Sequence, residues 1–160
     1  LYPEVRMWMT SLLLITALVA AVSGGTAPDA TADRAAIEAC VRDYIEGWYT
    51  GDAARMDRAL HPELAKRGVL QSPGAGRLFL QPIGKSAMVA FTGAGAGKLK
   101  PGEEMKLSIE ILSVDRTVAS VRVVSLKFTD HCHLARLDGE WKIVNVVWEP
   151  AASPPPPPPK

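Results

Sequence analysis

The sequence predicts an α+β domain with helices first and a curved antiparallel sheet last. In the first third of the chain, apolar residues recur at the spacing i, i+3, i+4, i+7, i+8, i+11, which is typical of a helix lying on a core. After Glu104 the period falls to two, as in half-buried strands. No helical segment separates the late strands, so we expect them to pair antiparallel.

Three short helices are predicted. The first covers residues 33–49 and places six apolar positions on one face: Ile37, Cys40, Val41, Tyr44, Ile45 and Trp48. Gly51 suits the left-handed position after a helix, and Asp52 can cap a second helix over residues 53–60. A third helix is expected over residues 84–91, ending in glycines.

Strands fill most of the remaining chain. A first strand is expected over residues 62–69 and a short one over 77–81. Long strands are predicted at 107–111, 118–128, 131–137 and 141–149, with a break near Thr129-Asp130 and a hairpin turn at Asp138-Gly139.

Composition excludes several classes of function. A formal net charge of +1 and the lack of a basic run argue against nucleic-acid binding. The glycines at 93, 95 and 97 do not form a phosphate loop, and there is no Cys-x-x-Cys motif. The sequence therefore predicts no cofactor.

Both ends are expected to lie outside the domain. Residues 1–25 have a basic start, an apolar run over 12–22 and small residues after it, which predicts a secretory signal peptide and a secreted or periplasmic protein. An uncleaved membrane anchor is the alternative; after signal removal no membrane contact is expected. Residues 26–32 are a linker, 33–150 the domain, and 151–160 a polyproline tail, read as disordered or as a ligand for a proline-reading domain.

Two motifs resemble a known family. The segment from Asp43 to Pro62, DYIEGWYTGDAARMDRALHP, and the late HLARLDGEWKIVNVVWE are together similar to the nuclear transport factor 2-like superfamily, in particular its putative lumazine-binding subgroup. The resemblance implies a cone, in which the bent sheet wraps round three helices and opens to a pocket at one end. It also implies a homodimer. The superfamily includes ketosteroid isomerase, which uses a tyrosine and a protonated aspartate as an oxyanion hole and a second aspartate as base.

The resemblance implies candidate pocket residues. Tyr44 falls at the oxyanion tyrosine, His133 at the oxyanion acid and Trp148 near a pocket aromatic. The general base falls near Val69, an apolar stretch, which argues against an isomerase of that kind.

Each candidate also has a structural reading. Tyr44 and Trp48 lie on the core face of the first helix, whereas Tyr49 is a quarter-turn away and is expected to rim an opening. His131 and His133 share one strand face, and the resemblance implies that His133 faces the cone. That pair alone lacks a third ligand, so no metal site is predicted.

The same alternation predicts where Cys132 lies and whether the two cysteines can form a disulfide bond. Asp130, Cys132 and Leu134 share the face opposite His133, so Cys132 is expected on the outer sheet face, the expected dimer surface. Cys40 and Cys132 are then two thiols rather than a bridge, although a bridge stays open from the sequence alone.

We therefore expect an exported domain that binds a small apolar or aromatic molecule, without turnover, in a pocket formed by Tyr44, Trp48, Tyr49, His133 and Trp148. One alternative is a polyketide-cyclase or isomerase-like enzyme with His133 as acid/base and Tyr44 as donor. A second alternative is a dimeric interaction module with a filled cone.

Overall fold

Three helices and six strands form the part of the chain that a computed structural model describes, residues 30–74 and 76–151. Helices α1 (Ala30–Thr50) and α2 (Ala53–Ala59) come first. The elements after them are β1 (Leu60–Gln71), β2 (Leu78–Ile83), α3 (Lys85–Gly93), β3 (Ser108–Val114), β4 (Val118–Val124), β5 (Phe128–Leu137) and β6 (Glu140–Pro150).

The strands form one curved, unclosed sheet in the order β2-β1-β6-β5-β4-β3. This confirms the predicted α+β class. Neighbouring strands are antiparallel except β1 and β6, which run parallel with Gly68 opposite Trp148. The sequence did not indicate this parallel pair, because the two strands are far apart in the chain.

Most element boundaries differ from the prediction by a few residues: the second helix, expected over 53–60, ends at Ala59, and the first strand, expected over 62–69, covers Leu60–Gln71. The break between β4 and β5 comes before Phe128 rather than at Thr129-Asp130, because Ser125 N donates to the Phe128 carbonyl at 2.9 Å and closes a tight turn there.

Hydrogen bonds hold the start of α1 and the corner that joins α1 to α2. Gly51, at φ 77°, ends the helix region, and the Asp52 carboxylate accepts bonds from the first free amides of α2, Ala54 N and Arg55 N, each at 3.0 Å. At the other end, the buried Asp33 accepts a bond from Trp141 Nε1 at 3.2 Å and pairs with Arg136 at 3.1 Å. The helix is thereby tied to β5 and β6.

The core lies between α1 and the inner face of the sheet. Its inward strand residues alternate along each strand: Ala119, Val121, Val123, Cys132, Leu134, Trp141, Ile143 and Val146. A register shift in β6 opposite His133/Leu134 changes which residues face inward, from Trp141 and Ile143 before it to Val146 after it.

The prediction that Cys132 lies on the outer face is wrong, because this side chain is 1% exposed within the core. Cys40 is half-buried and donates from Sγ to the Ala59 carbonyl at 3.4 Å. Both cysteines are free thiols. Burial raises the pKa of Cys40 to about 11 and raises the pKa of Cys132 further.

The predicted signal peptide at residues 1–25 and the polyproline run lie outside the described residues. Within the described residues, the helices fall short of the length and apolar character that a bilayer crossing needs.

Candidate functional site

A cavity of about 140 Å³ opens between α1, α3 and the inner face of the sheet. A volume of this order accommodates one aromatic ring. Its walls are mostly apolar, as in ordinary ligand pockets. The lining residues are Tyr44, Ile45, Trp48, Tyr49, Lys66, Ile83, Met88, Phe91, Phe128, Asp130 and Trp148.

Aromatic rings form one side of the cavity. The Phe128 ring meets Trp148 edge to face at 5.1 Å between centroids, and meets Trp48 at 6.4 Å. Because these rings come from α1, β5 and β6, the cavity wall depends on the whole fold rather than on one loop.

Two glycines make room for the indoles. A Cβ on Gly68 would lie 2.6 Å from a Trp148 ring carbon, and one on Gly97 would lie 2.3 Å from the Trp48 ring. Only a residue without a side chain allows such close approach. The parallel pairing of β1 with β6, which sets Gly68 opposite Trp148, therefore positions one wall of the cavity.

A buried polar trio lines the cavity beside these rings. Tyr44 donates its hydroxyl to Asp130 Oδ1 at 2.9 Å. Lys66 Nζ donates to the same Asp130 oxygen at 3.0 Å and to the Tyr44 hydroxyl oxygen. The three residues lie on three different elements, α1, β1 and β5, and form one connected network, which we call the polar trio.

The polar trio is almost fully removed from solvent. The Lys66 and Asp130 side chains are 6% and 2% exposed, and Lys66 Nζ lies 5.0 Å from the Trp148 ring centroid and 5.1 Å from that of Tyr44. Rings at these distances stabilise the ammonium. Burial, together with the Asp130 carboxylate, raises the pKa of Tyr44 well above its usual value, so the phenol stays protonated and donates.

The donors and acceptors of the trio show what a ligand can meet. The Tyr44 hydroxyl gives one bond and receives one, both within the trio. Lys66 has three N–H donors and gives two of them within the trio, so one donor is left for a bound molecule as far as residues 30–74 and 76–151 are concerned. A ligand oxygen can therefore be held by Lys66.

Tyr49 contributes a ring but not its hydroxyl. That hydroxyl accepts from Lys127 N at 3.0 Å and bonds to Ser125 Oγ at 3.0 Å, which in turn donates to the Phe128 carbonyl. Tyr49 is 2% exposed, so it lies inside the wall rather than at the rim. Its hydroxyl fixes the turn that carries Phe128.

The structure places four of the five predicted pocket residues at the cavity: Tyr44, Trp48, Tyr49 and Trp148. Their role in binding a ligand stays a prediction.

His133 is placed elsewhere. It lies exposed on the outer sheet face, where its Nδ1 is 3.0 Å from Asn145 Nδ2. The inward placement of His133 was wrong because β5 turns its Cys132 and Leu134 face to the core, and His133 alternates with them. Because its side chain does not reach the cavity, His133 cannot act there as the acid/base of the alternative enzyme.

Sequence reasoning missed Lys66 and Asp130. Asp130 carried a usable signal, since it shares a strand face with Cys132 and Leu134 and apolar residues mark the inward side. Lys66 carried the same kind of signal, since it alternates in β1 with Leu64 and Leu70, whereas the opposite face holds Glu63, Arg67 and Gln71.

A metal centre finds no support in residues 30–74 and 76–151, where no group of three or more His, Cys, Asp or Glu side chains lies close enough to hold an ion.

Comparison with known proteins places this chain in a family. The profile of the family described as putative lumazine-binding matches residues 32–149, most of the chain. The chain belongs to that family. The match runs from the first turn of α1 to near the end of β6 and includes the residues of the cavity and the polar trio.

Solved structures share the fold at low sequence identity. An NTF2-like protein of unknown function from Shewanella baltica is 23% identical, with a TM-score of 0.62 over 78% of this chain and 98% of that one. One from Silicibacter pomeroyi is 21% identical, with a TM-score of 0.57 over 75% and 97%. A ketosteroid isomerase-like protein from Erwinia carotovora atroseptica is 16% identical, with a TM-score of 0.52 over 74% and 96%. No curated protein matches the sequence.

Proposed function

We propose that this protein binds a small, flat, mainly apolar molecule in the cavity and holds one ligand oxygen with the polar trio. The observation that carries the proposal is the combination of an aromatic cavity with the Lys66 ammonium at its wall, which uses two of its three N–H donors among the described residues. The match to a family described as putative lumazine-binding is consistent with ligand binding. We further propose that binding is the function in itself, without turnover.

Two buried indole N–H groups support the same proposal. Within the described residues, Trp48 Nε1 and Trp148 Nε1 are buried and have no hydrogen-bond partner. A buried donor without a partner costs about 1–3 kcal/mol. A ligand acceptor that reached either group would recover part of this cost.

A pair of single-ring probes tests the polar handle. Toluene and benzyl alcohol have the same ring, but only the alcohol carries an oxygen. We expect calorimetry to show tighter binding of benzyl alcohol. A bond to a charged group contributes about 1.5–3 kcal/mol, so the double variant Lys66→Met/Asp130→Leu should weaken alcohol binding about tenfold or more and leave toluene binding unweakened.

Leu112→Ala is the control. Leu112 lies exposed in β3 and outside the cavity wall, so its truncation should leave both affinities unchanged. The polar handle would be contradicted if the wild type bound toluene and benzyl alcohol equally tightly and the double variant bound each probe as tightly as the wild type does. Failure of both probes to bind, with no co-purifying mass in a native mass spectrum, would favour an interaction module instead.

We also propose export and dimerisation. The apolar run at residues 12–22 supports export, which is tested by deleting residues 1–25 and following the protein in cell fractions. The exposed Val118 on β4 and Val147 on β6, both on the outer face of the sheet, support a dimer through that face. Light scattering should show a dimer that Val147→Asp converts to a monomer; an unchanged mass would exclude this surface.

A further inference from the structure

Lys66 is a primary amine buried in the wall of a cavity. Its ion pair with Asp130 is not explained by stability alone, because apolar residues of similar volume often stabilise a core as well as a buried ion pair. Lysine amines in apolar pockets are also the usual nucleophiles toward carbonyl groups.

We propose that Lys66 forms a reversible imine with an aldehyde or ketone group of the molecule in the cavity. This rests on the proposed function, because the carbonyl carbon must first lie beside Lys66 Nζ. The ligand class is then a single-ring or similarly flat carbonyl compound.

The neighbouring groups supply every proton that the step needs. Asp130 Oδ1, 3.0 Å from Lys66 Nζ, takes one proton from the ammonium. The free amine attacks the carbonyl carbon, a C–N bond forms, and the carbonyl oxygen becomes a hydroxyl by taking a second nitrogen proton. Asp130 returns its proton to that hydroxyl, the C–O bond breaks and water leaves.

The product keeps the charge balance of the site. The ammonium and carbonyl become a protonated imine and one water, with Asp130 again a carboxylate. The positive charge thus stays beside Asp130 and the Trp148 and Tyr44 rings. Tyr44, bonded to both partners, holds the amine and the carboxylate in place.

Reductive trapping tests the proposal. Wild-type protein is incubated with benzaldehyde and sodium cyanoborohydride, which reduces an imine to a stable benzylamine, and the modified lysine is located by peptide mass mapping. We expect the benzyl group on Lys66. Lys66→Arg keeps a cation beside Asp130 without a nucleophilic amine, and should lose that adduct. Lys100→Met removes an exposed lysine and should retain it.

The outcomes separate this inference from the proposed function. The imine is supported if the benzyl label is found on Lys66 and if excess benzyl alcohol suppresses this labelling. Label spread over exposed lysines and absent from Lys66, with benzyl alcohol still bound by calorimetry, overturns the imine and leaves the binding function intact. No binding of benzyl alcohol and no label on Lys66 overturns both. Mapping on the wild type makes the result independent of whether a variant folds.

Discussion

The Lys66–Asp130 pair gives the sharpest test of how the site is built. Lys66→Met leaves the Asp130 carboxylate with one donor, Tyr44, in place of two. Asp130→Leu leaves the ammonium with the Tyr44 oxygen alone. In either variant a charge remains buried without its partner, whereas Lys66→Met/Asp130→Leu removes both charges.

The distance sets the scale of the effect. Across 3.0 Å, at an effective dielectric constant of about 20, two unit charges attract by about 5.5 kcal/mol. Removing one partner of a buried pair costs about 3–5 kcal/mol, while apolar replacement of both is often neutral. We therefore expect each single variant to lose about 3 kcal/mol or more of unfolding free energy. We expect the double variant to lie within about 2 kcal/mol of the wild type.

Urea unfolding followed by circular dichroism measures this cycle. Tryptophan fluorescence is unsuitable because Lys66 lies over the Trp148 ring. Equal m-values in the four proteins show that the free energies are comparable. Arg122 and Glu110, an exposed cross-strand pair at 3.9 Å, form the control cycle, for which little or no coupling is expected. Additive losses at Lys66 and Asp130 would refute the idea that the two charges stabilise each other.

Three further predictions concern the fold around the cavity. Gly68→Ala should displace Trp148, lower the free energy of unfolding by about 1–3 kcal/mol and weaken probe binding, whereas the control Gly93→Ala, whose Cβ meets only Ala53 at 3.5 Å, should leave the protein as stable as the wild type. Urea unfolding and calorimetry measure both effects, and a Gly68→Ala variant with unchanged stability and binding would refute the close packing. Asp52→Ala should cost about 1 kcal/mol by removing the α2 cap, and an unchanged unfolding free energy would contradict its capping role. Because the pKa of Cys40 is raised in the folded protein, its thiol ionises first in the unfolded chain, so the free energy of unfolding should fall as the pH rises from 9.0 to about 11. Cys40→Ala should reduce this fall, and an identical dependence of unfolding on pH in variant and wild type would refute the role of Cys40.

Local features of the fold could be predicted from the sequence, and long-range pairing could not. The Gly51-Asp52 corner is correct because φ > 0 and an N-cap each require particular residue types. The apolar stripe of the first helix is correct because period 3.6 reports burial directly. The parallel β1–β6 pair left no local trace, and it is this pair that sets Gly68 against Trp148.

The same distinction explains the candidate site. The place of three aromatic residues at the cavity could be predicted because they lie on the apolar stripe of α1 or next to it, within one continuous pattern: Tyr44, Trp48 and Tyr49. His133 was misplaced because counting back from the Asp138 turn outweighed the apolar alternation of Cys132 and Leu134. A one-residue error in a strand reverses its two faces. The prediction therefore placed His133 toward the cavity and Asp130 toward the outer face, the opposite of what the structure shows.

The polar trio follows from the strand directions that the sheet imposes. β5 places Asp130 inward because Cys132 and Leu134 must be buried, and β1 places Lys66 inward because Gly68 must face Trp148. Neither charge can then turn to solvent without turning core residues outward as well. The two charges, fixed on different strands, must pair with each other, and Tyr44 from α1 completes the pairing. Because the fold holds this pair at the wall of an aromatic cavity, the amine is aligned before any ligand arrives, which lowers the entropic cost of binding or of bond formation.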